Sequence, residues 1–358
     1  MTEAGARSSR TWSFIDSWVG RATAILGLIA TLAGGVTWWV TRHRERAARQ
    51  AQIVLAEAQA GQAQYGLAWQ TFASLLRADP LDRAALDGQL KVTMLWTENY
   101  SVVVPDGTSA SAVASPELDD IMETLESGLT RAQGSEAADV QAHLGWAHWL
   151  NQRVAAREFG TAAAEDLRGA LARDPRNVYA NAMLGNWMLQ NEGDPGAAVE
   201  HFDTAVATGR ARPFVRQMQI GGLLSCDDPG CRAALMKAAS QMRTAGEPLD
   251  PDVRRRVVDF CCDPTLARHE EIAEFLSAVG PDDAWNTYLW LDDRSREGLD
   301  LRMDVLMRSF IQANLLEASG QTPAALARYR QLQAQLAHQP GSLKDSVDEA
   351  VVRLARRS

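Results

Sequence analysis

Four cysteines and several carboxylate pairs are the residues of this chain that could do chemistry. Cys226 and Cys231 flank Asp227-Asp228-Pro229-Gly230, a tight-turn sequence, and Cys261 and Cys262 are adjacent. A four-thiolate zinc site needs two ligand pairs that can point at one ion, and neither spacing suits that. A Cys226–Cys231 disulfide would require an oxidising compartment. In a reducing one the same residues would serve as small buried hydrophobes. The cysteines therefore report on compartment more than on catalysis.

The histidines are no more specific. His269-Glu270-Glu271 opens like a zinc-protease helix, but no His stands four residues beyond His269. His143 and His148 are five apart, a spacing that does not place two ligands on one helix face. No phosphate-cradling glycine loop, dinucleotide fingerprint or nucleophile elbow occurs. Carboxylates such as Asp119-Asp120, Asp282-Asp283 and Asp292-Asp293 mostly sit at expected helix starts, where the helix dipole favours negative charge. No catalytic residue, metal or cofactor is expected, and the function is read as non-enzymatic.

The elements that must position these residues are helices. From Ala47 onwards Ala, Leu, Arg, Glu and Gln dominate, and apolar residues recur at three- and four-residue steps. The nearest approach to a strand, Ser101 to Val104, is too short. Asp-Pro occurs at 79–80, 174–175, 194–195, 228–229, 250–251 and 263–264. Asp suits an N-cap and Pro the first helical position, so each pair is expected to close one helix and open another. Residues 104–116, rich in Ser, Ala, Gly and Pro, read as a mobile loop.

Internal repetition organises the helices. In Asn177 to Gly209, Leu184-Gly185 lies mid-helix, and Ala198, Phe202 and Ala205 follow on a second helix. This resembles the tetratricopeptide repeat, whose small residues let paired helices approach while larger ones fill the seam between hairpins. Leu144-Gly145 with Ala170-Leu171 and Asp174-Pro175 resembles a second copy with a longer turn. Ala68, Phe72 and Asp79-Pro80 resemble part of an earlier copy, and Gly320, Ala325 and Tyr329 part of a later one. The Cys-Asp-Pro clusters at 226–229 and 261–264 recur about thirty-five residues apart, near the family period.

The resemblance implies a concave groove on the first helices that binds an extended peptide or a partner's helix. Its groove positions fall on Asp139, Ala142, Trp146 and Trp149 in one copy and on Tyr179, Ala182, Asn186 and Leu189 in the next. Trp and Tyr are large desolvated anchors and Asn186 could bond a peptide backbone. The alternative is that Trp146 and Trp149 pack in the seam between hairpins. Trp187, Trp285 and Trp290 are read as core.

Ahead of the repeats, Ala22 to Val40 carries no charge over nineteen residues, with Trp12 and Trp18 before it and Trp38 and Trp39 at its end. It reads as a transmembrane helix. Arg42, Arg44, Arg46 and Arg49 follow, and this positive collar favours a cytoplasmic main domain, with a periplasmic one the alternative. Thr23, Gly27, Thr31 and Gly35 fall four apart, which would let two such helices pair as a homodimer. Net charge is −9 overall and −13 beyond residue 50, so nucleic acid is excluded as a partner.

The expected organisation is a tail over 1–18, a membrane helix over 19–41, a basic collar over 42–50 and a tetratricopeptide-like domain over 51–358. The fold class is all-α: a single N-terminal transmembrane helix, then a helix-hairpin solenoid closed by an amphipathic helix at Leu343–Leu354. The expected function is a membrane-tethered scaffold of the inner (plasma) membrane that organises a protein partner. The alternative is a periplasm-facing assembly or chaperone-like factor.

Overall fold

Two glycines set how closely the paired helices approach. In a computed structural model, a Cβ on Gly145 would stand 3.0 Å from the Ala163 carbonyl oxygen and from Leu167 Cγ. One on Gly185 would stand 3.0 Å from the Ala198 carbonyl oxygen and 3.1 Å from Phe202. Each Leu-Gly pair thus marks the point where a first helix crosses its second at nearly backbone contact. The structure describes residues 35, 37–100, 116–154, 161–209, 212–262, 276, 278–292 and 301–357. These residues contain no strand. The chain divides into two compact units, 1–100 and 101–358.

The first unit holds α1 (37–61), α2 (Tyr65–Ala78) and α3 (Arg83–Glu98). Ile53 and Ala56 of α1 meet Ala68, Phe72 and Leu75 of α2 and Ala85 and Val92 of α3. The buried Asp82 carboxylate caps α3, accepting from Ala85 N at 3.1 Å, and pairs with Arg49 of α1. Burial would raise its pKa, but the Arg49 and Ala85 hydrogen bonds outweigh that and hold the carboxyl below the usual range.

The second unit begins with α4 (Pro116–Leu129) and continues as helix pairs: α5 (Gly134–Val154) with α6 (Ala162–Arg173), and α7 (Val178–Asn191) with α8 (Pro195–Gly209). Then come α9 (Pro213–Leu224) with α10 (Pro229–Ala245), and α11 (Pro251–Cys262) with α12 (Pro281–Asp292). The first helices α5, α7, α9 and α11 touch in sequence as one layer, and α8, α10 and α12 do so behind them. This is an all-helical arrangement of stacked hairpins. Ala198, Phe202 and Ala205 are fully buried at the α7–α8 crossing, as a second helix of that type requires.

The unit closes with α13 (Leu301–Ala318), α14 (Thr322–Gln335) and α15 (Ser342–Ala355). Phe310, Tyr329, Leu332, Val347 and Leu354 share one core cluster. Burial and the Glu317 carboxylate push the Tyr329 hydroxyl well above its ordinary pKa, so it stays a donor to Asn314 and to Glu317 Oε2 at 3.2 Å. Arg353 of α15 reaches the same Glu317 at 3.0 Å. Ala325 and Tyr329 are buried on a second helix, and Gly320 forms the turn before it at φ +79°.

The Asp-Pro pairs do two different jobs. Asp194, Asp228 and Asp250 cap their helices as expected, accepting from Ala197 N at 3.0 Å, Gly230 N at 2.8 Å and Val253 N at 3.3 Å. At 79–80 and 174–175 the Asp ends the preceding helix but does not cap the next, whose cap falls three residues later, on Asp82 and Asn177. Both turns are built alike. Asp82 N donates to Asp79 O at 3.1 Å and Asn177 N to Asp174 O at 2.9 Å. The Asp side chain takes the intervening amide, Leu81 N at 3.2 Å or Arg176 N at 3.1 Å. The pair at 263–264 and residues 104–115 of the loop expected over 104–116 lie outside the described residues, and Pro116 begins a helix.

The expected membrane localisation is corrected. Among the described residues no helix is long and apolar enough to cross a membrane. Residues 19–34 of the expected span, with Thr23, Gly27 and Thr31 of the pairing face, lie outside the described residues. Of the expected span, residues 35 and 37–41 are described, and 37–41 form the start of α1, which continues through Arg42, Arg44, Glu45, Arg46 and Arg49. The collar is thus part of a packed helix rather than a separate segment, and Arg49 is held by Asp82. A single-pass inner-membrane protein is not supported.

The crossing glycines make a direct test. Gly185→Val should destabilise the second unit by about 1–3 kcal/mol, because the added methyls meet the Ala198 carbonyl and Phe202. Urea unfolding followed by circular dichroism measures it; an unchanged midpoint would mean the crossing is looser than described.

Candidate functional site

The face of α5, α7 and α9 carries the expected groove residues, and most are engaged with the neighbouring helix. Asp139 on α5 is half-buried and accepts from Asn177 Nδ2 at 2.7 Å. Asn177 also caps α7 through Ala180 N at 2.8 Å. His143, one turn after Asp139, is fully buried; its Nδ1 bonds the Asp139 carbonyl at 2.7 Å, so that nitrogen carries the proton. Its ring meets the edge of Tyr179 with centroids 4.5 Å apart. Tyr179 in turn lies 6.3 Å from Phe214 of α9, and the Arg212 guanidinium covers its ring at 4.6 Å. A line of His, Tyr and Phe therefore joins three successive first helices.

Further along the same helices, Trp146 and Trp149 stack on each other at 4.3 Å and are only 4% and 5% exposed. The Arg153 guanidinium lies 5.0 Å over the Trp149 ring and its Nη1 donates to Gln190 of α7 at 2.9 Å. Asn186 is buried; its Nδ2 donates to the Met218 carbonyl of α9 at 3.1 Å, and its Oδ1 accepts from Gln190 at 2.7 Å. Leu189 is half-buried beside Gly222 of α9. Ala142 and Ala182 are fully buried. Of the six expected anchors, Asp139, Tyr179 and Leu189 keep part of their surface open. Trp146, Trp149 and Asn186 form the layer beneath. Trp187 is buried, while Trp285 and Trp290 are half-buried.

Two members of the carboxylate pairs are bound up in structure. Asp283 accepts from Ser240 at 2.9 Å and pairs with Arg243, and Asp292 accepts from Arg308 at 2.7 Å. Burial, reinforced by Glu123 and Asp119, pushes the Asp120 carboxyl up. His148 bonds Asp166 across the α5–α6 pair at 2.8 Å. Among the described residues no three His, Cys, Asp or Glu side chains are placed to share a metal. Cys226 and Cys231 are joined in a disulfide across the α9–α10 turn, with Cα atoms 6.1 Å apart. The side chains of Cys261 and Cys262 lie outside the described residues.

One cavity was not anticipated. A cleft of about 640 Å³ opens between α9 and α11. Ile220, Gly221 and Leu224 form one wall and Val253 and Arg256 the other. Pro248 and Leu249, which follow the left-handed Gly246 (φ +67°) at the end of α10, also line it. Its floor holds Arg216, 5% exposed, paired with Glu247 at 2.9 Å and 3.3 Å and bonded to Gln219 at 2.8 Å. The sequence signal was the Gly221-Gly222 pair inside a helix, which has no propensity reason to be there.

No protein-family model matches the chain, and no curated protein matches it. Among solved structures it is similar to the C-terminal part of a TPR repeat-containing protein from Cytophaga hutchinsonii. Identity is 11% and the TM-score 0.34, over 86% of this chain and 96% of that one. The description of the hairpins stands on their packing and not on that match.

Asn177→Ala removes both the α7 cap and the Asp139 partner. It should cost about 1–2 kcal/mol, seen as a lower urea midpoint. An Asp139→Ala change combined with it should add less than its separate effect, because the two side chains share one hydrogen bond.

Proposed function

We propose that this protein is a non-enzymatic scaffold that binds a protein partner, as a peptide or a helix, on the face formed by α5, α7 and α9. The contact surface is the half-open set Asp139, Tyr179 and Leu189, with Trp146, Trp149 and Asn186 holding it rigid from below. The observation that carries this reading is the alignment of three first helices side by side, with a mixed aromatic, aliphatic and acidic surface left between them. A face whose supporting side chains are already ordered loses little conformational entropy on binding.

The test is cross-linking of the full-length chain in extract of its native cells, with attachment sites mapped by mass spectrometry. Cross-links to a partner should fall on α5, α7 and α9. Tyr179→Ala with Leu189→Ala should lower recovery about tenfold, the scale of losing two interface anchors. Recovery unmoved by the double change would overturn the assignment of the face.

A second reading, an assembly or chaperone-like factor of an oxidising compartment, is favoured by the Cys226–Cys231 disulfide. Protein taken from its native cells and denatured without reductant should leave those two thiols unlabelled by maleimide, and reductant should expose them. Full labelling of both without reductant would exclude this reading.

A further inference from the structure

We propose that the cleft between α9 and α11 anchors one apolar side chain of an extended peptide that carries a carboxylate beside it. The inference rests on the protein-binding reading above, since α9 belongs to both surfaces, but it concerns different residues. The walls are aliphatic: Ile220 and Leu224 on one side, Leu249 and Val253 on the other. A volume near 640 Å³ is within the range of clefts that enclose a small ligand, and exceeds what one Leu or Phe side chain needs.

Charge selects among apolar occupants. Three of the four charged residues lining the cleft are committed within the chain. Arg216 and Glu247 hold each other, and Asp250 caps α11. Arg256 is exposed on the rim and makes no hydrogen bond or ion pair among the described residues. The uncommitted charge of the cleft is therefore positive, and a carboxylate next to the apolar group meets it.

Gly221 supplies an independent argument. Its neighbour Gly222 is required by packing, because a Cβ there would stand 3.0 Å from Phe202 and 3.1 Å from Asn186. Gly221 is not: it is exposed, and a Cβ there would meet nothing within 4 Å. Glycine inside a helix costs about 1 kcal/mol relative to alanine, and no close packing contact among the described residues calls for it here. A bare backbone lining a cleft lets the main chain of a bound peptide come close.

The experiment uses the full chain and ten-residue Gly-Ser peptides bearing one photo-leucine with Glu two residues away. Control peptides carry Lys in place of Glu. After irradiation the adduct is quantified and mapped. Attachment is expected on α9, α11 and residues 247–250, with the Glu peptide favoured over the Lys peptide by about fivefold, the scale of one partly exposed ion pair. Gly221→Phe, which fills the cleft, should abolish most of the adduct. Arg256→Glu, a surface change that leaves the fold intact, should reverse the Glu-over-Lys preference. Gly221→Ala should raise the unfolding midpoint. Adduct formation that is scattered over the chain, or that neither Gly221→Phe nor Arg256→Glu alters, would overturn the proposal. If that happens while Tyr179→Ala with Leu189→Ala still reduces partner recovery, the cleft assignment fails alone. Mapped adducts in the cleft with a silent double change support the cleft and refute the α5–α7 face.

Discussion

Everything in the second unit depends on two helices being able to cross at backbone contact. A side chain at Gly145 or Gly185 would press on the α6 or α8 backbone and force the neighbouring helix to give by a few tenths of an ångström. Phe202, fully buried at one of those crossings, contributes about 1.5–3 kcal/mol only while the gap around it stays closed. Each hairpin alone leaves one apolar side uncovered, and the next hairpin covers it. The layer of first helices follows from this, and so does any surface they present.

Polar groups then fix how successive hairpins register. Asn177 links α5 to the start of α7, and Asn186 links the middle of α7 to α9 through the Met218 carbonyl. His143, Tyr179 and Phe214 carry the same connection through ring contacts. These are buried or half-buried groups whose partners lie on another helix, and leaving one unsatisfied costs more than making it gains. The face therefore has little freedom to rearrange. A partner bound as proposed would have to fit what is already there, with Asp139, Tyr179 and Leu189 as contact residues and the tryptophans as support.

Much of this was legible in the chain itself, for physical reasons that also mark where it stopped being so. The three- and four-residue steps and the Leu-Gly, Ala and Phe spacing report local helix packing, and Ala198, Phe202 and Ala205 are buried as that pattern implies. Asp-Pro was read as one signal, yet Asp79 and Asp174 close turns while Asp194, Asp228 and Asp250 cap helices. The difference is a second acceptor three residues on, Asp82 or Asn177, which wins the cap. The engagement of Asn186 could not be seen, because its partner stands 32 residues away on another helix. The cleft was hidden for the same reason: α9, α11 and the turn after α10 each supply one side of it. The apolar run before residue 41 suggested a membrane span, but among the described residues no helix is long and apolar enough to cross one.

The Cys226–Cys231 link encloses the turn Asp227-Asp228-Pro229-Gly230, whose first three residues are exposed. Exposed turns of this kind are where proteases cut. A cut there would leave α9 and α10 tied by sulfur, so the nicked molecule would keep both halves on one covalent frame. On a non-reducing gel it would run as a single species, and it would come apart into two only after the thiols were freed.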